Sequence, residues 1–364
     1  MSLNIGIVGL PNVGKSTIFN ALTKSSQALT ANYPFATIDP NVGIVEVPDE
    51  RLAKLSEVSN SEKTIPAIIK FVDIAGIVKG ASQGEGLGNK FLANIRECDA
   101  IAHVIRWFDD PNVTHVHGTV DPKSDREIIE SELLLADLQT VEKRLYKARS
   151  DAKSNQKDKL EYLRIVEKLN DGLMSGKRAI SIDFDENELE ALKDLHLLTF
   201  KPTLFIVNIS EEKLKTFDPI KASEIIGVEN PELIVPICAK VEHELIEFSP
   251  EEASEYMKTL GIEKSGLETL IQKSYSLLGL ITYFTSGPKE SRAWTIKKGT
   301  MAPQAAGVIH TDFEKGFIKA EVIFWKDFVD CRSEAKAKEK GLMRLEGKDY
   351  LVKDGDTMHF KFSS

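Results

Sequence analysis

Short apolar runs that end in glycine, asparagine or aspartate punctuate the first 125 residues. Asn4-Ile5-Gly6-Ile7-Val8 is the first, Ile65 to Val72 the second, and Ala100-Ile101-Ala102-His103-Val104-Ile105-Arg106-Trp107 the third. Runs of four to eight apolar residues bounded by turn formers predict buried strands of an α/β sheet. From Asp125 to about Leu198 the period changes. Ile128, Ile129, Leu133, Leu134, Leu138, Val141 and Leu145 recur at three- and four-residue spacing, and Leu160, Leu163, Val166 and Leu169 repeat the stripe after the polar stretch 150–157. That spacing predicts two long helices joined by a polar turn, an antiparallel hairpin inserted between strands. Apolar runs return at Pro202–Val207 and Leu233–Ile237. Beyond Thr282 the texture is of short glycine-punctuated strands, with Ala293–Ile296, Phe317–Val322 and Tyr350–Val352 as candidates.

The expected organisation is therefore a nucleotide-binding domain from 1–125 and 199–281, a helical insertion at 126–198, and an α+β module at 282–364. A chain of 364 residues accommodates two or three domains. The carboxyl-terminal module holds 15 Lys and Arg against 12 Asp and Glu, a net +3, while the whole chain is −9. That balance argues against broad nonspecific nucleic-acid binding and leaves room for a local basic face. Cys98, Cys238 and Cys331 are too few and scattered for a disulfide framework or zinc site. With no membrane-length apolar run and no secretory signal pattern, the expectation is a cytoplasmic protein that does not enter membranes. A monomer is expected.

The chemistry concentrates just after the first strand. Gly9-Leu10-Pro11-Asn12-Val13-Gly14-Lys15-Ser16 has the spacing G-x-x-x-x-G-K-[ST] between a predicted strand and a predicted helix beginning at Thr17. Glycines let successive N–H groups turn inward on phosphate oxygens, and the helix N-terminus adds its positive end. Asn12, Val13, Gly14, Lys15, Ser16 and Thr17 are the expected phosphate-binding residues, with Lys15 on the β- and γ-phosphates and the Ser16 hydroxyl on Mg²⁺. A nucleoside triphosphate is the expected ligand.

Later segments add the parts of a phosphate-sensing switch. Thr37, in a turn-rich loop, is the candidate to complete the Mg²⁺ shell. Asp73-Ile74-Ala75-Gly76 is a D-x-x-G at a strand's carboxyl end, where open α/β sheets place ligands; Asp73 would hold the metal through water and the Gly76 N–H would sense the γ-phosphate. Guanine switches carry a water-orienting glutamine next, whereas this chain has Ile77, so slow intrinsic hydrolysis is expected. His115 is a candidate to position water, or an exposed loop histidine; His103, inside a predicted strand, reads as a core residue. After the Pro202–Val207 run comes Asn208-Ile209-Ser210-Glu211, where guanine switches have N-K-x-D. The longer glutamate does not match the guanine edge, and asparagine pairs readily with adenine N6 and N7, so adenine is favoured. Cys238-Ala239-Lys240 resembles the S-A-K turn that packs against the base in guanine switches. The cluster Lys143, Arg144, Lys147, Arg149, Lys153, Lys157 and Lys159 at the hairpin end reads either as a solvated surface or as a docking point for RNA or a ribosome.

These motifs, with the carboxyl-terminal run Ala302 to Phe317, resemble the YchF / Obg-like ATPase family over essentially the whole chain. N-x-x-E together with an apolar residue after D-x-x-G is the specific combination. The resemblance implies a P-loop NTPase G-domain, a coiled-coil insertion and a carboxyl-terminal TGS domain. It further implies Mg²⁺-dependent ATP hydrolysis and association with ribosomal RNA or protein in translation or stress responses. A GTPase of the same fold, and a non-hydrolysing nucleotide-gated ribosome- or RNA-binding scaffold, are the alternatives.

Overall fold

The computed structural model describes residues 3–24, 41–74, 87–111, 113 and 119–363, without the side chains of 87–90. The strands in chain order are β1 (Asn4–Gly9), β2 (Val42–Glu46), β3 (Thr64–Ile65), β4 (Ile68–Asp73), β5 (Ala100–Trp107), β6 (Thr203–Ile209), β7 (Ile234–Ile237), β8 (Leu280–Ser286), β9 (Ser291–Lys297), β10 (Phe317–Phe324), β11 (Arg344–Glu346) and β12 (Asp356–Phe362). They form two six-stranded sheets, ordered β2-β4-β1-β5-β6-β7 and β11-β10-β12-β8-β9-β3.

In the first sheet β1, β5, β6 and β7 run parallel. Every residue of β6 is buried, as are all of β5 but Trp107, which is why these strands read as continuous apolar runs rather than alternating ones. A parallel sheet brings the carboxyl ends of its strands to one edge, so Gly9, Asp73, Trp107 and Ile209 all open toward the loops that carry the motifs. The P-loop helix, Lys15–Lys24, buries Ile18, Phe19, Ala21 and Leu22.

The helical insertion consists of Pro122–Asp151 and Lys157–Met174. Asp121 caps the first by accepting from the N–H groups of Lys123 and Ser124, with Pro122 in the first turn where no N–H is required. Val141, Leu145, Ile165, Val166, Leu169 and Leu173 form their shared core. Leu160, assigned to the stripe by its spacing, is instead 44% exposed, because only the later turns of its helix pack against the partner helix and the segment that follows. A buried carboxylate fastens the insertion to the sheet. Asp137 accepts from Leu198 N and Thr199 N, each at 2.8 Å, and from the Thr199 hydroxyl at 2.7 Å, just before the chain enters β6.

The chain divides into two compact units, one made of 4–43 and 71–270 and the other of 1–3, 44–70 and 271–364. Residues 44–70, expected within the nucleotide-binding part, thus fold with the carboxyl-terminal residues. The reason is a long-range pairing without a local signature: β3 lies parallel to β9, and Arg51 bridges Asp49 at 2.7 Å and Asp354 at 2.5 Å. The core of this unit gathers around Tyr283, Ala305, Phe317, Ala320 and Phe360. Of the three strands expected here, Ala293–Ile296 and Phe317–Val322 lie in β9 and β10. Tyr350–Val352 does not form a strand; Leu351 makes a single bridge to Met301. The three cysteines are free and buried, and among the described residues no helix is long and apolar enough to cross a membrane.

Candidate nucleotide-binding site

Between β1 and its helix the backbone takes left-handed conformations at Asn12 (φ 62°) and Gly14 (φ 92°). Alternating right- and left-handed residues turn successive N–H groups to one side, which is the anion-binding nest that a phosphate requires. The helix begins with Ile18 N donating to Gly14 O at 3.0 Å, so the amides of Lys15, Ser16 and Thr17 lie in the first turn, where the helix itself offers no acceptor. Two glycines are required here for different reasons. A Cβ on Gly9 would sit 2.9 Å from both the Val104 carbonyl oxygen and Val13 Cγ2, whereas one on Gly14 would sit 2.2 Å from Asn208 Nδ2. Asn12, Ser16 and Thr17 are exposed along the rim, and Val13 is buried beneath them.

Lys15 is 9% exposed, and its ammonium pairs with the Asp73 carboxylate at the end of β4. Asp73 is held there by its own N–H, which donates to Asn41 O at 2.8 Å, and by Ile74 N donating to Ile7 O at 3.2 Å. Two motifs 58 residues apart in sequence thus meet at neighbouring strand ends. Ser16 and Asp73 are hard oxygen donors, one hydroxyl and one carboxylate, beside a cation-lined phosphate cradle. That donor set fits Mg²⁺, which takes one or two protein oxygens and keeps several waters. Thr37, Gly76, Ile77 and His115 lie outside the described residues.

Asn208 occupies the end of β6 and is 3% exposed. Its Nδ2 donates to Val13 O at 2.9 Å, and its Oδ1 accepts from Ala239 N at 3.2 Å. It is a strut joining the P-loop to the 238–239 turn. The bidentate pairing with adenine read from the sequence would have to share or exchange those bonds. Ile209 is 1% exposed, so it borders the site as packing. Glu211 points its carboxylate toward Lys240 at 3.9 Å, which ties the N-x-x-E motif to the C-A-K turn. Cys238 is buried, and that burial raises its thiol pKa.

His103 behaves as expected of a core residue. It is 2% exposed, its ring lies 5.9 Å from that of Phe205, and burial, aided by nearby Arg126 and Arg178, lowers its pKa to about 3. It is neutral at physiological pH, as a packed core histidine. Arg144 and Arg149 of the basic cluster are engaged within the hairpin region, by Asp194 at 2.8 Å and Glu167 at 3.2 Å, while Lys143, Lys147, Lys153, Lys157 and Lys159 are exposed.

One residue of the site was not anticipated. Arg106, the penultimate residue of β5, is 2% exposed and donates to the carbonyl oxygens of Phe108 (3.1 Å), Val113 (3.0 Å) and Asn12 (3.4 Å). The available signal was an arginine inside a strand otherwise apolar enough to be buried on both faces, since a guanidinium in that setting must find acceptors.

The chain is similar to known proteins over its whole length. Residues 4–163 match a family model described as "50S ribosome-binding GTPase", and residues 280–363 match the YchF-GTPase_C model, described as "Protein of unknown function (DUF933)". "Ribosome-binding ATPase YchF" of Bacillus subtilis (strain 168) is 54% identical over the full length of both chains, and that of Haemophilus ducreyi is 50% identical, again over both chains in full. The solved YchF GTPase of Schizosaccharomyces pombe is 43% identical, covering 99% of this chain and 98% of its own, with a TM-score of 0.89.

Proposed function

The chain belongs to the YchF family, and from that premise we propose that it is a Mg²⁺-dependent ATP hydrolase acting as a slow, ribosome-associated switch. The observation that carries this reading is the meeting of Lys15 and Asp73 at the mouth of the P-loop nest. It supports a site where Lys15 would stabilise charge developing on the phosphates while Ser16 would hold the metal directly and Asp73 would hold it through water. Mg²⁺, when bound, supplies Lewis-acid polarisation of the phosphoryl oxygens. Thr37 would complete its shell, Gly76 would sense the γ-phosphate, and His115 would position water in place of the glutamine that Ile77 replaces. The bacterial relatives, named ribosome-binding ATPases, support ATP as the substrate and the ribosome as partner.

We read 1–125 and 199–281 as the G-type domain, except that 44–70 and 271–281 fold with the carboxyl-terminal unit, 126–198 as a coiled-coil insertion and 282–364 as a TGS module, in a cytoplasmic monomer. The exposed lysines at the hairpin end supply a face for ribosomal RNA or protein. The base preference rests on Glu211, which turns toward Lys240. A GTPase is the second reading, favoured by the engagement of both ends of the Asn208 amide and by the name of the fission-yeast relative. Calorimetric titration of the nucleotide-free protein with ATP and with GTP, each with Mg²⁺, separates the two. ATP at least tenfold tighter, about 1.4 kcal/mol, supports the adenine reading. Tighter GTP overturns it.

A further inference from the structure

Arg106 and Asn208 stand opposite one another in the register of β5 and β6. Each reaches the P-loop, Asn208 at the carbonyl of Val13 and Arg106 at that of Asn12. Consecutive carbonyls of the loop are therefore held from two paired strand positions. Asn12 is the residue that adopts φ 62° without being glycine, a conformation that persists where the surroundings enforce it. The same guanidinium holds the turn after β5 through Phe108 O and Val113 O, and its carbon lies 4.5 Å from the centroid of the Phe108 ring. Within that turn Val113 N donates to Asp110 O at 3.1 Å. A position needed only to pack the end of β5 would be apolar, as Ile105 is, whereas burying a guanidinium is costly unless its donors are satisfied. Only a planar fork meets carbonyls in several directions at once; a lysine ammonium on a flexible stem does not replace it.

We propose that Arg106 is a positioning residue for nucleotide hydrolysis, fastening the P-loop at Asn12 to the turn bearing Phe108 and Val113. Seating of a triphosphate on the loop amides is then transmitted to the turn, and distortion of the turn reaches the phosphates. The arm to Asn12, at 3.4 Å the longest of the three, is the one that tightens when the loop grips phosphate. Arg106 touches no phosphate in this scheme. It keeps the amide donors where charge develops, and small misplacements of such donors are expensive in rate. The inference rests on the nucleotide reading of the site.

The test uses the full-length protein as wild type, Arg106→Gln and Arg106→Lys. Nucleotide affinity is measured calorimetrically with Mg²⁺, and hydrolysis at saturating ATP. Amide hydrogen exchange at Asp109, Asp110 and Val113 is followed with and without a slowly hydrolysed ATP analogue. In the wild type, exchange at these amides is expected to slow at least fivefold on nucleotide binding. Arg106→Gln should still bind, with KM within threefold, yet show less than a twofold exchange response and a kcat lowered roughly tenfold to a hundredfold. Arg106→Lys should recover only part of either. A retained exchange response and kcat in Arg106→Gln overturn the proposal, since a residue of purely structural value would lower stability and leave both unchanged. Should Arg106→Gln not fold, the wild-type Arg106 Nε–H resonance decides: a nucleotide-dependent shift and slowed exchange support the clamp, and no change overturns it. Nucleotide binding by the wild type without any response in the turn overturns the clamp alone. No binding at all overturns the nucleotide reading beneath it.

Discussion

Replacing Asn208 by alanine removes one buried amide and strands two backbone groups at once. The Val13 carbonyl loses its donor at 2.9 Å and the Ala239 N–H loses its acceptor at 3.2 Å, at a position 3% exposed. Each unsatisfied buried group costs about 1–3 kcal/mol, so the expected destabilisation is roughly 2–6 kcal/mol, at the low end if water enters. At about 2–4 °C per kcal/mol for a unit of this size, the melting temperature should fall by roughly 4–24 °C. Gly14→Ala supplies the second arm of a cycle. Its Cβ would lie 2.2 Å from Asn208 Nδ2, and its φ of 92° is strained for alanine, so alone it suffers both penalties. In the Asn208→Ala background the clash disappears, because the remaining neighbour, Ala239 Cβ, is 3.9 Å away, and only the backbone strain persists. The two changes should therefore be less damaging together than their sum by at least about 1 kcal/mol, whereas independent sites add within about 0.5 kcal/mol. Urea and thermal unfolding of the four proteins measure the coupling, and calorimetric ATP titration should show weakened binding in each variant. Additive effects, or an Asn208→Ala cost below about 1 kcal/mol, would refute the assignment of Asn208 as the strut between loop and turn.

Other perturbations test separate parts of the structure. Lys15→Ala, which removes the cation paired with Asp73, should lower kcat/KM for ATP by roughly a hundredfold or more, given the usual worth of a charged group at the transferring phosphoryl; steady-state hydrolysis measures it. Glu211→Asp should narrow any preference for ATP over GTP, because the shorter side chain restores the N-x-x-D pattern and loosens the contact with Lys240; paired titrations with both nucleotides check this. Glu242, 3% exposed and accepting from Gly266 N at 2.7 Å, has its pKa raised by burial to about 7. Its contribution is complete below the ordinary carboxylate value and disappears as pH rises toward 7, a loss of at most about 3 kcal/mol. Urea midpoints at pH 5 and 8 should show Glu242→Gln gaining on the wild type as pH rises. Leu169→Ala, which empties a fully buried position between the two long helices, should destabilise the protein by about 2–5 kcal/mol in urea unfolding.

Much of the site was legible because phosphate chemistry imposes local sequence patterns. Strand, glycine-spaced loop and helix are contiguous from Asn4 to Lys24, so the nest, Lys15 and Ser16 follow from spacing alone. The D-x-x-G aspartate was legible for the same reason, since β4 is an apolar run ending at Asp73. Asn208 was recognised as a site residue, but its bonds to Val13 and Ala239 depend on which strands are neighbours. Arg106 sits in a run that reads as a buried strand, but its acceptors, the carbonyls of Phe108 and Val113, are fixed only by how the turn after β5 folds.

By itself, then, the sequence determined the α/β class, the order of motifs, the helical insertion and the residues proposed to meet a triphosphate. Each depends on contacts within a few residues along the chain, where periodicity, turn chemistry and helix-end electrostatics operate. Only the tertiary structure decided that Lys15 pairs with Asp73, that Asn208 and Arg106 brace adjacent carbonyls of one loop, and that 44–70 fold with the carboxyl-terminal residues. Those are pairings across 58 to more than 200 residues, set by strand order and by the need of buried polar groups for partners, and no local pattern encodes them.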